Sequence, residues 1–355
     1  MKIFDRYVGQ NVIRSTITVL IVLLAIFSFF GFIEELEDIG RGRYTLGLAA
    51  VVVLLSLPSL AYELLPIAAL LGSLLSLGAM SERNEIAVVR CAGVSKLRLV
   101  WSVMKTGLVF VVFAVVVGEV VFPPADRKAN AVRSHAISDR VGSANENGFW
   151  ARDGSNYINI REILPGEEFR DINIYEYDEA DRLRTSTHAQ SAHYIEGRWE
   201  LRDISQTRFE ATGPVSELMK RASWDSVLDP DIIGMIAITP ESLSSLALVR
   251  YVEFARDNGQ SAQRWEHALW TKIGYPMATA VMVFLAIPLV LGANARSGST
   301  GRRILLGALI GLTFHVLNQA SGHLGVVFSV PATVSALGPT LLLLTVGLVL
   351  NARGS

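Results

Sequence analysis

The sequence predicts a polytopic α-helical membrane protein, six transmembrane helices carrying an inserted all-β, jelly-roll-like domain. Three observations predict this. Hydrophobic residues make up 51% of the 355 positions and charged residues 18%, below the roughly 25% of an ordinary soluble domain, and mean hydropathy is +0.39. Six apolar runs are long enough to cross a bilayer, whose hydrocarbon core of about 30 Å takes about 20 helical residues. A hydrophilic stretch of 140 residues, Ala125 to Arg264, separates the third run from the fourth and alternates polar and apolar residues in short segments. The chain therefore divides into residues 1–122, 123–264 and 265–355: three spans, an insert, three spans.

Span one is Val12–Ile33, preceded by a short lead carrying Lys2, Arg6 and Arg14. At 22 residues it is too long for the core of a signal peptide, and no small-residue cleavage site follows it, so it is expected to be retained. The polar segment Glu34–Tyr44 leads to a 35-residue apolar run, Leu46–Met80. As one helix this run would be about 52 Å long, more than a hydrocarbon core. Pro58 and Pro66 lie inside it, so it either projects beyond the membrane as a kinked helix or breaks near Pro58-Ser59. Glu63 lies between the prolines. An ionisable group in a span is a functional candidate, but its distance from Met80 puts it near an interface where water reaches it.

Span three, Leu99–Phe122, is expected to end at Pro123-Pro124. The insert opens with a basic helical segment holding Arg127, Lys128, Arg133 and Arg140. Strands follow over 156–160, 171–177 and 198–204, punctuated by turn signals such as Pro165-Gly166 and Glu196-Gly197. A helix is expected to start at Thr239-Pro240-Glu241 and to stop near Asn258-Gly259. Spans four to six follow at about Trp265–Leu291, Ile304–Gly322 and Val330–Leu350.

The lead, the stretch 81–98, the loop 292–303 and the tail hold eleven Lys and Arg, against two in the loops 34–45 and 323–330. That excess puts both termini and residues 81–98 in the cytoplasm and residues 123–264 on the opposite side. A net charge of −1 gives no whole-chain pull toward nucleic acid. Cys91 is the only cysteine, which rules out an intrachain disulfide and a Cys-rich metal framework. No lysine follows a glycine, so the chain has no Gly-Lys-Ser/Thr phosphate loop. Gly-x-Ser-x-Gly and His-Glu-x-x-His do not occur either. His188 and His193, five apart on an expected strand, would point to opposite faces and are not expected to share a metal. No catalytic set, metal or cofactor is expected.

The stretch Ser81–Arg98, trapped between spans two and three, carries Arg83, Arg90, Lys96 and Arg98 with Glu82 and Glu85, over an apolar stripe at Ile86 and Val89. This is the pattern of an amphipathic helix at the membrane surface with a charged face toward water. It is also that of a plain connecting loop whose charges set topology. In span five, Gly307 and Gly311 form Gly-x-x-x-Gly, which lets another helix approach closely. His315, Asn318 and Gln319 add interhelical hydrogen bonding there, and a proton relay from His315 would need an acid, for which Glu63 is the candidate.

A membrane body, an outer platform and a charged knob without an engine fit a transport subunit energised by a separate protein. A membrane-anchored scaffold or receptor with an outer binding domain also fits, and an intramembrane enzyme would need a convergent polar set. Loss of activity on substituting Gly307 or Gly311 separates transport from the scaffold. Lipid turnover by the chain alone, without nucleotide, marks the enzyme.

Asp5-Arg6-Tyr7, the run Ser81–Ser95 (SERNEIAVVRCAGVS) and Gly148-Phe149-Trp150-Ala151-Arg152-Asp153-Gly154 resemble the LptF/LptG lipopolysaccharide export permease family, the last stretch more the LptG half than the LptF half. The resemblance covers essentially the whole chain. It implies a non-catalytic permease subunit of an ABC transporter, multi-pass in the bacterial inner membrane, with a periplasmic jelly roll at 123–264. It implies pairing with an LptF-like permease on a pair of LptB-like ATPase subunits, which bind the ATP, and delivery of lipopolysaccharide to an LptC-like bridge protein. It places the coupling helix in 81–98, with Glu85 as the acidic anchor and Arg83 and Arg90 beside it, and it sets Arg133 against lipopolysaccharide phosphates. One feature departs from the pattern. Some relatives carry lysines after span one, where this chain has Glu34, Glu35, Glu37 and Asp38; Arg41 and Arg43 are the candidates to substitute.

Overall fold

The computed structural model describes residues 2–137, 149–153, 156–164, 168–178, 182–195, 198–210, 213–224, 239–257, 261–291 and 300–353. The expected features at Arg140, Gly148, Gly154, Pro165-Gly166, Glu196-Gly197 and Asn258-Gly259, and most of the loop after span four, lie outside the described residues. The helices are α1 (Lys2–Leu36), α2 (Leu46–Glu82), α3 (Glu85–Cys91), α4 (Lys96–Val116), α5 (Phe122–Ile137), α6 (Ser245–Asp257), α7 (Gln263–Leu291), α8 (Thr300–Val327) and α9 (Ala332–Arg353). Among the described residues, six helices are long and apolar enough to cross a membrane. The chain forms two compact units, Met1–Glu35 with Val53–Asp126 and Gln263–Ser355, and Leu36–Val52 with Arg127–Ala262.

In the first unit, α1 absorbs the basic lead, so lead and span are one helix. Helix α2 runs unbroken through Pro58 and Pro66, so the longer of the two expected forms is the one adopted. Its Leu- and Ala-rich flanks favour helix strongly enough to carry the two missing N–H groups. Span three does not end at Pro123-Pro124 as expected. Helix α4 passes through a π-turn, Val117–Val121, directly into α5. There the Phe122 N–H bonds to the Val117 carbonyl, five residues back. In the same register the Gly118 carbonyl would need a donor from Pro123, which has none. Lys272 of α7 supplies it, its Nζ donating to the Gly118 carbonyl at 2.9 Å.

Helix α7 is the centre of this unit. It buries 67% of its most apolar stretch, against 17% for α8 and 6% for α1. Ala278, Val281, Met282, Val283, Leu285, Ala286 and Ile287 are all buried, and a helix that is apolar all round is driven inside. It packs against α4 and α9 and shares a core with Leu70, Leu74 and Leu77 of α2 and Val8 and Val12 of α1. Where α1 crosses α2, Gly72 leaves no space for a side chain, because a Cβ would fall on the Thr16 backbone.

The second unit holds strands β1 (Phe149–Asp153), β2 (Asn156–Leu164), β3 (Glu168–Tyr177), β4 (Leu183–Ile195), β5 (Arg198–Glu210) and β6 (Gly213–Trp224). They form one antiparallel sheet in sequence order, a meander. The expected all-β insert is therefore present, and short connections between neighbours give the simplest antiparallel topology. The ladder lapses along one row, Arg161, Asp171, Gln190, Asp203 and Lys220, with the register unchanged on either side. Asp171 (φ 54) and Asp203 (φ 50) take the left-handed conformation in that row, which Asp tolerates better than most residues.

This crease swaps the two faces of β3, β4 and β5. Phe169 and Ile172, Ala189 and Ala192, Leu201 and Ile204 are each three apart, yet all are buried in one apolar layer. The crease also corrects one expectation. His188 and His193 both lie opposite the layer of Ala189 and Ala192, so they share a face instead of taking opposite ones. The helix start expected at Thr239 is a 3₁₀ turn, Pro240–Ser242, and α6 begins only at Ser245.

Replacing Gly72 by Ala is expected to destabilise the first unit by about 1–3 kcal/mol, the usual cost of overpacking. A lowered thermal midpoint in detergent reads this. Gly31→Ala, where nothing lies within 4 Å of the new methyl, is expected to leave the midpoint unchanged or raise it.

Candidate functional site

The stretch expected as one amphipathic helix over 81–98 divides. Asn84 (φ 58) ends the run from α2, α3 takes only Glu85–Cys91, and Gly93 (φ 90) reverses the chain. Ser95 then caps α4, its Oγ accepting from the Arg98 N–H at 3.3 Å, so Lys96 and Arg98 belong to the next helix. Ile86 anchors α3 in the core beside Met80, Leu99 and Val8. The opposite side stays in solvent: Val88 and Leu97 are each 66% exposed, and Arg90 and Cys91 are exposed. Helix α3 thus has one buried residue and a mixed polar and apolar outer surface.

The lead of α1 grips this segment. The Tyr7 hydroxyl donates to Glu85 Oε2 at 3.0 Å. Asp5 accepts from Lys105 Nζ at 2.6 Å, from Arg98 Nη2 at 3.3 Å and from the Ser102 hydroxyl. Arg83 stands 3.9 Å from the Glu85 carboxylate, at the limit of an ion pair. Two further helices are tied in. Arg303 of α8 reaches Glu82 at 3.5 Å and the Gly78 carbonyl at 3.4 Å, and Lys96 donates to the Asn351 carbonyl of α9 at 3.3 Å.

On α8, Gly307 and Gly311 face α2 as the spacing suggested. A Cβ on Gly307 would stand 2.5 Å from Leu74 Cδ1, and one on Gly311 would stand 2.9 Å from Ile67 Cγ2. One turn further on, His315 Nδ1 lies 3.7 Å from Glu63 Oε1, an ion pair when the imidazole is protonated. Asn318 Nδ2 donates to the Tyr275 hydroxyl of α7 at 3.3 Å, and the Tyr275 ring packs on Tyr62 with centroids 5.2 Å apart. Glu63, the acid nominated as a candidate partner of His315, thus stands within ion-pair distance of it and links α2 to α8. Among the described residues, no three His, Cys, Asp or Glu are grouped to hold a metal.

In the second unit, Arg41 and Arg133 converge on one carboxylate. Asp38 Oδ1 pairs with Arg41 Nη1 at 2.6 Å and Asp38 Oδ2 with Arg133 Nη2 at 2.5 Å. The Arg133 guanidinium, with Arg41 helping, holds the Asp38 carboxyl below its ordinary value against the pull of desolvation. Sequence reasoning nominated both arginines and missed the acid that joins them. It also missed roles for Asp5, Tyr7, Lys272 and Arg303. Lys272 carried a usable signal, a lysine inside an apolar span. Asp5 and Tyr7 stood out only as part of the resemblance, and their contacts were not readable because their partners lie some 80 to 100 positions away.

Comparison with known proteins follows the same outline. The family model for the lipopolysaccharide export system permease LptF/LptG matches residues 6–353. The permease protein LptG of Haemophilus influenzae is 32% identical over 340 residues, covering 95% of each chain. LptG of Escherichia coli K12 is 31% identical over 358 residues, covering 99% of each, and its LptF is 25% identical over 312 residues, covering 83% of this chain and 80% of LptF. A match that runs from the lead of α1 to the end of α9 takes in all six long helices and the creased sheet, and by it the chain belongs to the LptF/LptG lipopolysaccharide export permease family.

Proposed function

We propose that this chain is a permease subunit that extracts lipopolysaccharide from the inner membrane, paired with an LptF-like permease and driven by a pair of LptB-like ATPase subunits. The observation that carries the reading is the full-length family match over a chain whose α3 is exposed on one side and tied to α1 on the other. A multi-acyl lipid cannot leave the bilayer unaided, at about 0.8 kcal/mol per CH₂. The chain has no phosphate loop of the Gly-Lys-Ser/Thr type to supply that work itself. The ATPase docks on α3, with Glu85 as its acidic contact and Arg83 and Arg90 at the rim. Its movement passes through Tyr7 and Asp5 into α1.

The faces left bare fit a second permease. Helix α1 buries 6% of its most apolar stretch and α8 buries 17%. In the pair, these helices bound the space that admits the lipid. The excess of Lys and Arg sets α3 and both termini in the cytoplasm and the sheet in the periplasm, from which the lipid passes to an LptC-like bridge. The apolar layer of the sheet is filled, Ile158, Ile172 and Ile204 being 0–2% exposed. An acyl chain therefore travels along it only when the sheet opens at the crease.

Two outcomes test this. Glu85→Lys is expected to insert normally and to lose ATPase assembly or coupling, with export falling to background; normal growth and export would remove Glu85 from the drive. Arg133→Glu is expected to weaken photo-crosslinking to lipopolysaccharide several-fold, and an unchanged yield would take Arg133 off the lipid path.

A further inference from the structure

The two arginines assigned to lipid do not stand ready for it. Asp38 lies beneath them, its side chain 10% exposed, while those of Arg133 and Arg41 are 43% and 68% exposed. The carboxylate thus holds the guanidiniums from the protein side and leaves both partly open to solvent. The pairing is imposed by the backbone. Gly42 (φ +57) sits where a Cβ would come within 2.6 Å of the Ala136 and Ile137 carbonyls, and the Arg43 N–H donates to the Ala136 carbonyl at 2.6 Å. The loop after α1 is thereby pinned to the end of α5, which sets Asp38 against Arg133.

We propose that Asp38 is a built-in counter-anion, which occupies the Arg41–Arg133 pair when no cargo is present and is displaced by a phosphate monoester of the lipid. The proposal rests on the reading of Arg133 as a lipid contact. A phosphate monoester brings up to two negative charges and three strong acceptor oxygens, and it matches guanidinium forks bidentately. Asp38 brings one charge and two acceptor oxygens. The exchange therefore favours a phosphorylated headgroup over a carboxylate or a neutral glycan. It also offsets the repulsion of two adjacent cations between transport cycles.

The test uses the full chain with its co-purifying partners in lipid nanodiscs. The probes are diphosphorylated lipid A and the same lipid with its phosphates removed. Asp38→Asn is expected to bind the diphosphorylated lipid about fivefold more tightly, the size of one partly exposed ion pair. Its affinity for the phosphate-free lipid should not change. The gain should vanish when Arg133→Gln is added. Unchanged or weaker binding by Asp38→Asn would overturn the proposal, and weaker binding with a lower melting temperature would show that the acid only positions Arg133. Arg133→Gln alone is expected to weaken the wild-type affinity for the phosphorylated lipid. If it does not, the lipid reading of Arg133 fails, and the role of Asp38 falls with it. Inorganic phosphate at the same concentration is expected not to compete, and equal competition would reassign the pair to free phosphate.

Discussion

One turn of helix at the start of α1 holds the site to the rest of the body. Asp5 collects Lys105, Arg98 and Ser102 of α4, and Tyr7 collects Glu85 of α3. Ion pairs at a surface are individually weak, about 0–1 kcal/mol. Here they matter because, beyond Val8 and Val12 in the core, α1 buries little. Its most apolar stretch is 6% buried, so the position of the helix depends on its anchored end and on the close crossing of Gly72 over Thr16.

The remainder of the membrane unit is braced by two unlike means. Small residues let α8 lie tight against α2 at Gly307 and Gly311, and contact alone favours that arrangement in lipid. Polar groups then fix which helices meet: Glu63 with His315, Tyr275 with Asn318, Lys272 with the carbonyl that Pro123 leaves without a donor. Polar pairs in hydrocarbon contribute about 1 kcal/mol each and are directional. Helix α7 takes part in two of these contacts and is also the most buried span. It is the helix against which α4 and α9 pack.

The body plan was legible in the sequence wherever a single residue type or period decided it. The number of spans, the presence of a strand-rich insert and the strands at Asn156–Ile160 and Asp171–Tyr177 rest on local patterns, and the structure holds them. Strand β4 was expected around His188 and His193 but without bounds, because its inward residues are Ala189 and Ala192, too small to make an apolar alternation. The crease was hidden because it replaces a two-residue period by a three-residue step at one row. The helix end expected at Pro123 failed because a π-turn and a distant lysine together satisfy what the proline leaves open. At the site, Glu85, Arg41 and Arg133 could be named from the chain. Tyr7, Asp5 and Asp38 became meaningful only with their distant partners in place.

The central claim is that the force is generated outside this chain and enters at α3. The most direct measurement is the mass and nucleotide hydrolysis of whatever leaves the membrane with the full chain in mild detergent. The expected result is a complex holding one copy of this chain, one similar permease and a pair of soluble subunits that hydrolyse ATP. A chain that emerges alone, or as a dimer of itself without ATPase activity, would contradict it.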